Sequence, residues 1–124
     1  MQRGVLLAAG AVAVLGAAAP AVSAVSSTTS PAPGPAVTVR LGEYFFRPKR
    51  VTASVGTPIR FVNVGKIEHT VADSSRSGTI RSRLIHPHPL AHGQAQTVVL
   101  RRRGTVYYLC TFHPQLMRGV IVVR

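Results

Sequence analysis

The sequence predicts an all-β fold, a sandwich or barrel of seven to eight short strands. Apolar and polar residues alternate in short runs from Val37 to the C-terminus, the period expected of half-buried strands. Glycine, proline and short polar clusters punctuate those runs at the spacing seen in sandwiches and barrels. No segment downstream of Val37 shows a helical period of any length.

Taken in order, Val37-Thr38-Val39-Arg40-Leu41 alternates and Gly42 breaks it. Tyr44-Phe45-Phe46 is a second apolar piece, stopped by Pro48, and Arg50 to Ala53 is a third, ending near Gly56. Pro58 to Val64 sets Ile59, Phe61, Val62 and Val64 around Arg60 and Asn63, and Gly65-Lys66 turns the chain. His69-Thr70-Val71-Ala72 is expected to open the next extended piece. Asp73 to Gly93 is irregular, with a short apolar piece at Ile80 to Ile85, and is expected to be mostly loop with one weak edge strand or a turn of helix. Gln96 to Leu100 reads as a strand and Arg101-Arg102-Arg103-Gly104 as a turn. Thr105 to Cys110 sets Val106, Tyr108 and Cys110 against Tyr107 and Leu109, and Arg118 to Arg124 closes the chain as a Val/Ile-rich strand. No internal repeat is visible, and periodicity alone leaves an immunoglobulin-like sandwich open.

The chain has 124 residues, the size of one small domain. Its start reads as a secretory signal peptide. Arg3 is the positive end, Val5 to Ala19 is the apolar run, and Ala21-Val22-Ser23-Ala24 is a small-x-small cleavage site, placing cleavage after Ala24. A retained anchor is the rival reading. The run is short against the ~20 residues of a spanning helix, and Pro20 closes it, which favours removal. No cysteine lies near the site to carry a lipid. Residues 25–35, rich in Ser, Thr, Pro and Gly, are expected to be a disordered tether, and 36–124 the folded domain. The protein is therefore expected outside the cytoplasm, with a mature domain that does not span the membrane.

The formal net charge is +12, and the acids are Glu43, Glu68 and Asp73. Such a surface steers acidic partners or anionic polymers. Nucleic acid is not favoured, since the chain carries an export signal and its basic residues are not interleaved with stacking aromatics in a recognisable module.

Chemistry gathers in Tyr108 to Gly119. This stretch holds the only cysteine, Cys110, a histidine three residues on, His113, and Met117, the only methionine besides the initiator. A thiolate, an imidazole and a thioether on one loop suit copper, which in electron-transfer sites takes two His and one Cys in a plane with a weak axial Met. The loop offers three of these four donors, and His69 is the best candidate for the other. A buried structural Cys, a His before a proline in a surface loop and a core Met are the plain alternatives, each tenable alone. An unpaired thiol in an exported protein nevertheless calls for burial or a metal.

Asn63, His69-Thr70-Val71, Gly104-Thr105, Tyr108, Cys110, His113-Pro114, Met117 and Gly119 together resemble the cupredoxins, small blue copper proteins of the plastocyanin, pseudoazurin and amicyanin type. The resemblance runs from about Val37 to Val123. It implies a two-sheet Greek-key β-sandwich and one type 1 copper ion, with His69, Cys110 and His113 equatorial and Met117 axial. The spacing C-x2-H-x3-M departs from the two or four residues between His and Met in familiar members. The resemblance further implies that Thr70 ties the two ligand segments together, with Thr111 and Pro114 beside them. Tyr108 and Phe112 are expected to pack rather than relay electrons. Partners are expected to dock around His113, which makes Arg118 a better contact candidate than the Arg101 turn.

The implied function is a monomeric one-electron carrier for an acidic redox partner. Copper delivery outside the cytoplasm is the alternative, supported only by His86, His88 and His92, which read first as a solvated loop. An enzyme is not expected. A multicopper oxidase needs several domains and a Cys flanked by His, whereas Leu109 and Thr111 flank Cys110. A dinuclear copper site needs a second cysteine.

Overall fold

The computed structural model describes residues 35–124 and, before them, only the isolated residues 4, 10, 16 and 17, so the leader expected over 1–24 and the tether expected over 25–35 otherwise lie outside the described residues save for Pro35. Eight strands follow one another: β1 Val37–Gly42, β2 Phe45–Arg47, β3 Arg50–Ala53, β4 Pro58–Asn63, β5 Ala72–Ser74, β6 Ala95–Val99, β7 Gly104–Leu109 and β8 Arg118–Val123. They form two four-stranded mixed sheets, ordered β2-β1-β4-β6 and β3-β8-β7-β5. The pairs β1/β4 and β3/β8 are parallel, and the others are antiparallel.

Alternation does what the sequence requires of it. In β4, Ile59, Phe61 and Asn63 are buried while Arg60 faces water. In β8, Gly119, Ile121 and Val123 are the buried set. The inward residues of both sheets meet in one core that includes Val39, Leu41, Phe46, Val51, Ile59, Phe61, Tyr108 and Ile121. The Tyr108 ring is its pivot, edge-on to Phe46 at 4.8 Å and to Phe61 at 5.3 Å. Gly119 on β8 lies directly opposite Tyr108, and a Cβ there would collide with the ring. Glycine is needed at 119 so that the tyrosine can lie flat against the neighbouring strand.

Along β7 the inward phase Val106, Tyr108 continues to Cys110, just past the last strand residue. Along β4 it runs Ile59, Phe61, Asn63. Both apolar stripes thus end in a polar residue at the same pole of the sandwich. That pole gathers the ends of β1, β4 and β7 and the starts of β6 and β8.

Two elements differ from the sequence reading. His69 opens no strand. It forms a single bridge with Leu90, and β5 begins only at Ala72. The Ile80 to Ile85 piece is neither edge strand nor helix. Ile80 makes one bridge to Ser74, and Ile85 is plugged into the core. The reason is Asp73, buried in β5, whose Oδ1 accepts the Leu84 and Ile85 amides at 2.9 Å each. A carboxylate that takes two backbone amides supplies the order a strand ladder would otherwise provide.

Candidate metal centre

Cys110 is fully buried and its thiol is free. Two segments meet at its sulfur. Thr70 N donates to Sγ at 3.4 Å, and the Thr70 hydroxyl stands 3.7 Å from it. The same hydroxyl accepts the Thr111 amide at 2.8 Å and lies 2.7 Å from the Thr111 hydroxyl. Thr70 therefore laces the segment after His69 to the segment after Cys110. Donors aimed at the sulfur hold it in place.

His69 is also fully buried, with Nδ1 3.9 Å from Cys110 Sγ. Its other nitrogen, Nε2, faces Glu43 Oε1 at 3.3 Å. That oxygen also accepts the Lys66 amide at 2.6 Å and the Ile67 amide at 2.9 Å. The Ile67 amide above all lowers the Glu43 carboxyl below the usual carboxylate range; desolvation opposes this, while His69 and the Lys66 amide add to it. An ionised Glu43 accepts a hydrogen bond from Nε2–H, which leaves Nδ1, on the sulfur side, as the lone-pair nitrogen. Asn63 secures the surrounding turn. Its Nδ2 donates to the Ile67 and Leu90 carbonyls at 2.8 and 2.7 Å, and its Oδ1 accepts the Gly65 amide at 2.8 Å.

The third and fourth candidates sit on the loop after β7. The His113 amide donates to the Cys110 carbonyl at 3.2 Å. The His113 carbonyl then accepts the Leu116 amide at 3.1 Å and the Met117 amide at 3.0 Å. Pro114, Gln115 and Leu116 thus complete one α-turn, which is what the x3 spacing accommodates. The Met117 carbonyl returns to accept the Cys110 amide at 3.1 Å, and the Met117 side chain is buried in the core cluster that holds Cys110. Pro114 offers no amide and leaves its carbonyl to Arg118 Nε at 2.7 Å. Arg118, expected to face a partner, is half-buried and braces this loop, also reaching the Ser77 carbonyl at 3.4 Å.

His113 is partly exposed, its ring 5.7 Å from the His69 ring and 4.6 Å from Tyr44. The structure therefore brings His69 and Cys110 side by side and places His113 one ring further out. Among the described residues no three His, Cys, Asp or Glu side chains are drawn together into a closed cluster. His86 and His88 belong to no group of three or more potential metal ligands among the described residues, and His92 Nδ1 is committed to the Gly65 carbonyl at 2.7 Å. Phe112 is exposed on the loop. Tyr108 is packing: burial pushes its hydroxyl pKa far up, and the oxygen has no hydrogen-bond partner.

Sequence reasoning missed Glu43 and Tyr44. The signal available for Glu43 was its rarity, one of three acids in a chain of net charge +12. Gly65 is a second trace of it, since a Cβ there would strike the Glu43 carboxylate.

Residues 35–124 match the family of copper binding proteins described as the plastocyanin/azurin family, and the chain belongs to that family. No curated protein matches it in sequence. Among solved structures it is similar to a purple cupredoxin from Nitrosopumilus maritimus, with a TM-score of 0.66 and 22% identity over 71% of this chain and 99% of that one. Amicyanin from Paracoccus versutus aligns with a TM-score of 0.62 and 26% identity, over 74% of this chain and 84% of that one. A copper-containing nitrite reductase from Thermus scotoductus aligns with a TM-score of 0.60 and 26% identity, over 71% of this chain but 22% of that one. The fold is thus a cupredoxin sandwich, and the cofactor is a single copper ion. The residues at the pole suit it, with a buried soft sulfur, two imidazoles and a buried thioether-bearing side chain converging from one loop and one bridge.

Proposed function

We propose that this chain is an exported one-electron carrier, in which His69, Cys110, His113 and Met117 would hold the copper ion. The observation that carries this is the buried pair His69 Nδ1 and Cys110 Sγ at 3.9 Å, with His113 beside it at the surface. Copper bound there supplies one-electron chemistry by passing between Cu(I) and Cu(II). The chain's own residues keep the donors in place across that change. Thr70 holds the sulfur, Glu43 holds His69, and the α-turn from His113 to Met117 holds the loop. The partly exposed His113 edge is the path for the electron, and an acidic redox partner is the occupant the net charge favours.

Grooves along residues 83–106 and 73–107 include none of the four donors, and we propose no enzymatic role because Leu109 and Thr111, not histidines, flank Cys110. We assign residues 1–24 to a cleaved leader, 25–35 to a tether and 36–124 to a monomeric domain outside the cytoplasm. No described helix is long and apolar enough to cross a membrane.

Adding Cu(II) to the protein should produce an intense visible band from the thiolate–copper bond. Cys110→Ser should abolish it, and a wild type that never colours refutes the site. A carrier should also keep its copper through repeated reduction and reoxidation beside a Cu(I) chelator of moderate affinity. Steady loss of copper with slow electron exchange would instead favour a delivery protein.

A further inference from the structure

The end of the sandwich opposite the metal centre carries a second feature. The β6–β7 turn presents Arg101, Arg102 and Arg103, and Arg83 comes up beside it, around a groove of about 460 Å³ floored by Leu84 and Val99. Leu84 is 55% exposed and Val99 38%, so the groove offers uncovered apolar surface ringed by guanidinium groups. Among the described residues the only contact between a basic side chain and a carboxylate is His69 with Glu43, so these arginines have no acid partner. Glu43 and Glu68 lie at or beside His69, and Asp73 is buried on the Leu84 and Ile85 amides. The strand register sets this pole apart, because β7 begins at Gly104 here and ends at Leu109 beside Cys110, roughly 20 Å away at strand rise. It also fixes where the N-terminal segment joins. Val37 pairs with Ile59, and the Gly56 amide bonds the Leu100 carbonyl, so Pro35 and Ala36, the first residues of the domain, lie at the arginine pole.

We propose that this pole is a docking surface for an anionic phospholipid membrane, which turns the copper pole away from the bilayer. Arginine binds phosphate esters in bidentate fashion, and an apolar floor between arginines suits the glycerol and upper acyl region behind a lipid headgroup. Basic side chains near an anionic surface contribute additively, so losing three should weaken binding about a hundredfold. Docking here leaves His113 free, and it does not depend on whether the copper carries electrons.

The test compares the copper-loaded mature chain, residues 25–124, with its Arg101→Gln/Arg102→Gln/Arg103→Gln variant, sedimented with vesicles of phosphatidylcholine alone or mixed with phosphatidylglycerol. The N-terminal segment is common to both proteins, so the difference between them reads the turn. The wild type should prefer the phosphatidylglycerol vesicles about a hundredfold and lose that preference as salt is added. The variant should bind both vesicles alike, with its visible band unchanged. Equal binding of the wild type to both vesicles overturns the proposal, as does a variant that keeps the preference. A competition with free glycerol phosphate, at the phosphate concentration of the vesicles, should leave the wild type bound. Full displacement would show that the groove reads a lone phosphate and would overturn membrane docking.

Discussion

Glu43 gives one oxygen to two backbone amides and to the imidazole of His69, and it is the residue through which that buried candidate ligand is oriented. Glu43→Gln keeps an acceptor for the amides but removes the charge that favours a proton on Nε2. Loss of such an outer partner should lower copper affinity ~10–100-fold while the visible band persists, as competition with a chelator would show. Glu43 also sets a pH limit. Its folded pKa lies below the ordinary 4.5, so the stability it contributes is present above that value and is lost as pH falls through the folded pKa. The wild-type apoprotein should therefore lose thermal stability on acidification below about pH 4.5, and Glu43→Gln should flatten that limb. Met117 is tested through potential. Met117→Leu should keep copper and raise the reduction potential, Met117→Gln should lower it, and no change with either would remove Met117 from the axial position. Cys110, His113 and Met117 were legible as candidates because they share one loop. Glu43 was not, because 26 residues separate it from His69 and no local pattern links them.

The elements that build the site differ in how clearly they read. Strands with one buried face showed themselves by alternation, as β4 and β8 do. The His69 segment did not, because what orders it is a bridge to Leu90 and the Asn63 amide rather than a ladder. Side-chain anchoring of this kind has no period to read. The same holds for residues 80–85, ordered by Asp73. The x3 spacing looked like a departure, yet it closes an α-turn whose two ends are both candidate ligands. Thr70 joins the two segments that carry candidate ligands, as the family resemblance implied. Thr70→Val keeps the shape, but it strips the Thr111 amide of its acceptor and the sulfur of a nearby hydroxyl. The buried orphan should cost ~1–3 kcal/mol in thermal or denaturant unfolding, with a shift of the visible band that a purely structural loss would not produce. Gly119→Ala should cost a similar ~1–3 kcal/mol, by forcing Tyr108 out of its seat between Phe46 and Phe61.

At the scale of the whole molecule, composition gave the size of the positive charge but not its arrangement, since that depends on which turns the sheets bring to which end. Four arginines crowd the pole away from the metal centre, whereas Lys66 stands beside it, its amide on the oxygen that holds His69. Screening at physiological ionic strength acts over ~8 Å, well short of the roughly 20 Å between the poles. A reaction partner at the partly exposed His113 edge should therefore feel Lys66 strongly and the distant arginines little. Electron exchange with an anionic small-molecule oxidant should slow as salt is added, since the chain carries a formal net charge of +12. Lys66→Gln should flatten that salt dependence more than neutralising Arg101, Arg102 and Arg103 together. The measurement is the second-order rate of oxidation across a series of salt concentrations for the three proteins. A triple variant whose slope falls more than that of Lys66→Gln would mean that electrons leave near the arginine pole, and the His113 route would then be wrong.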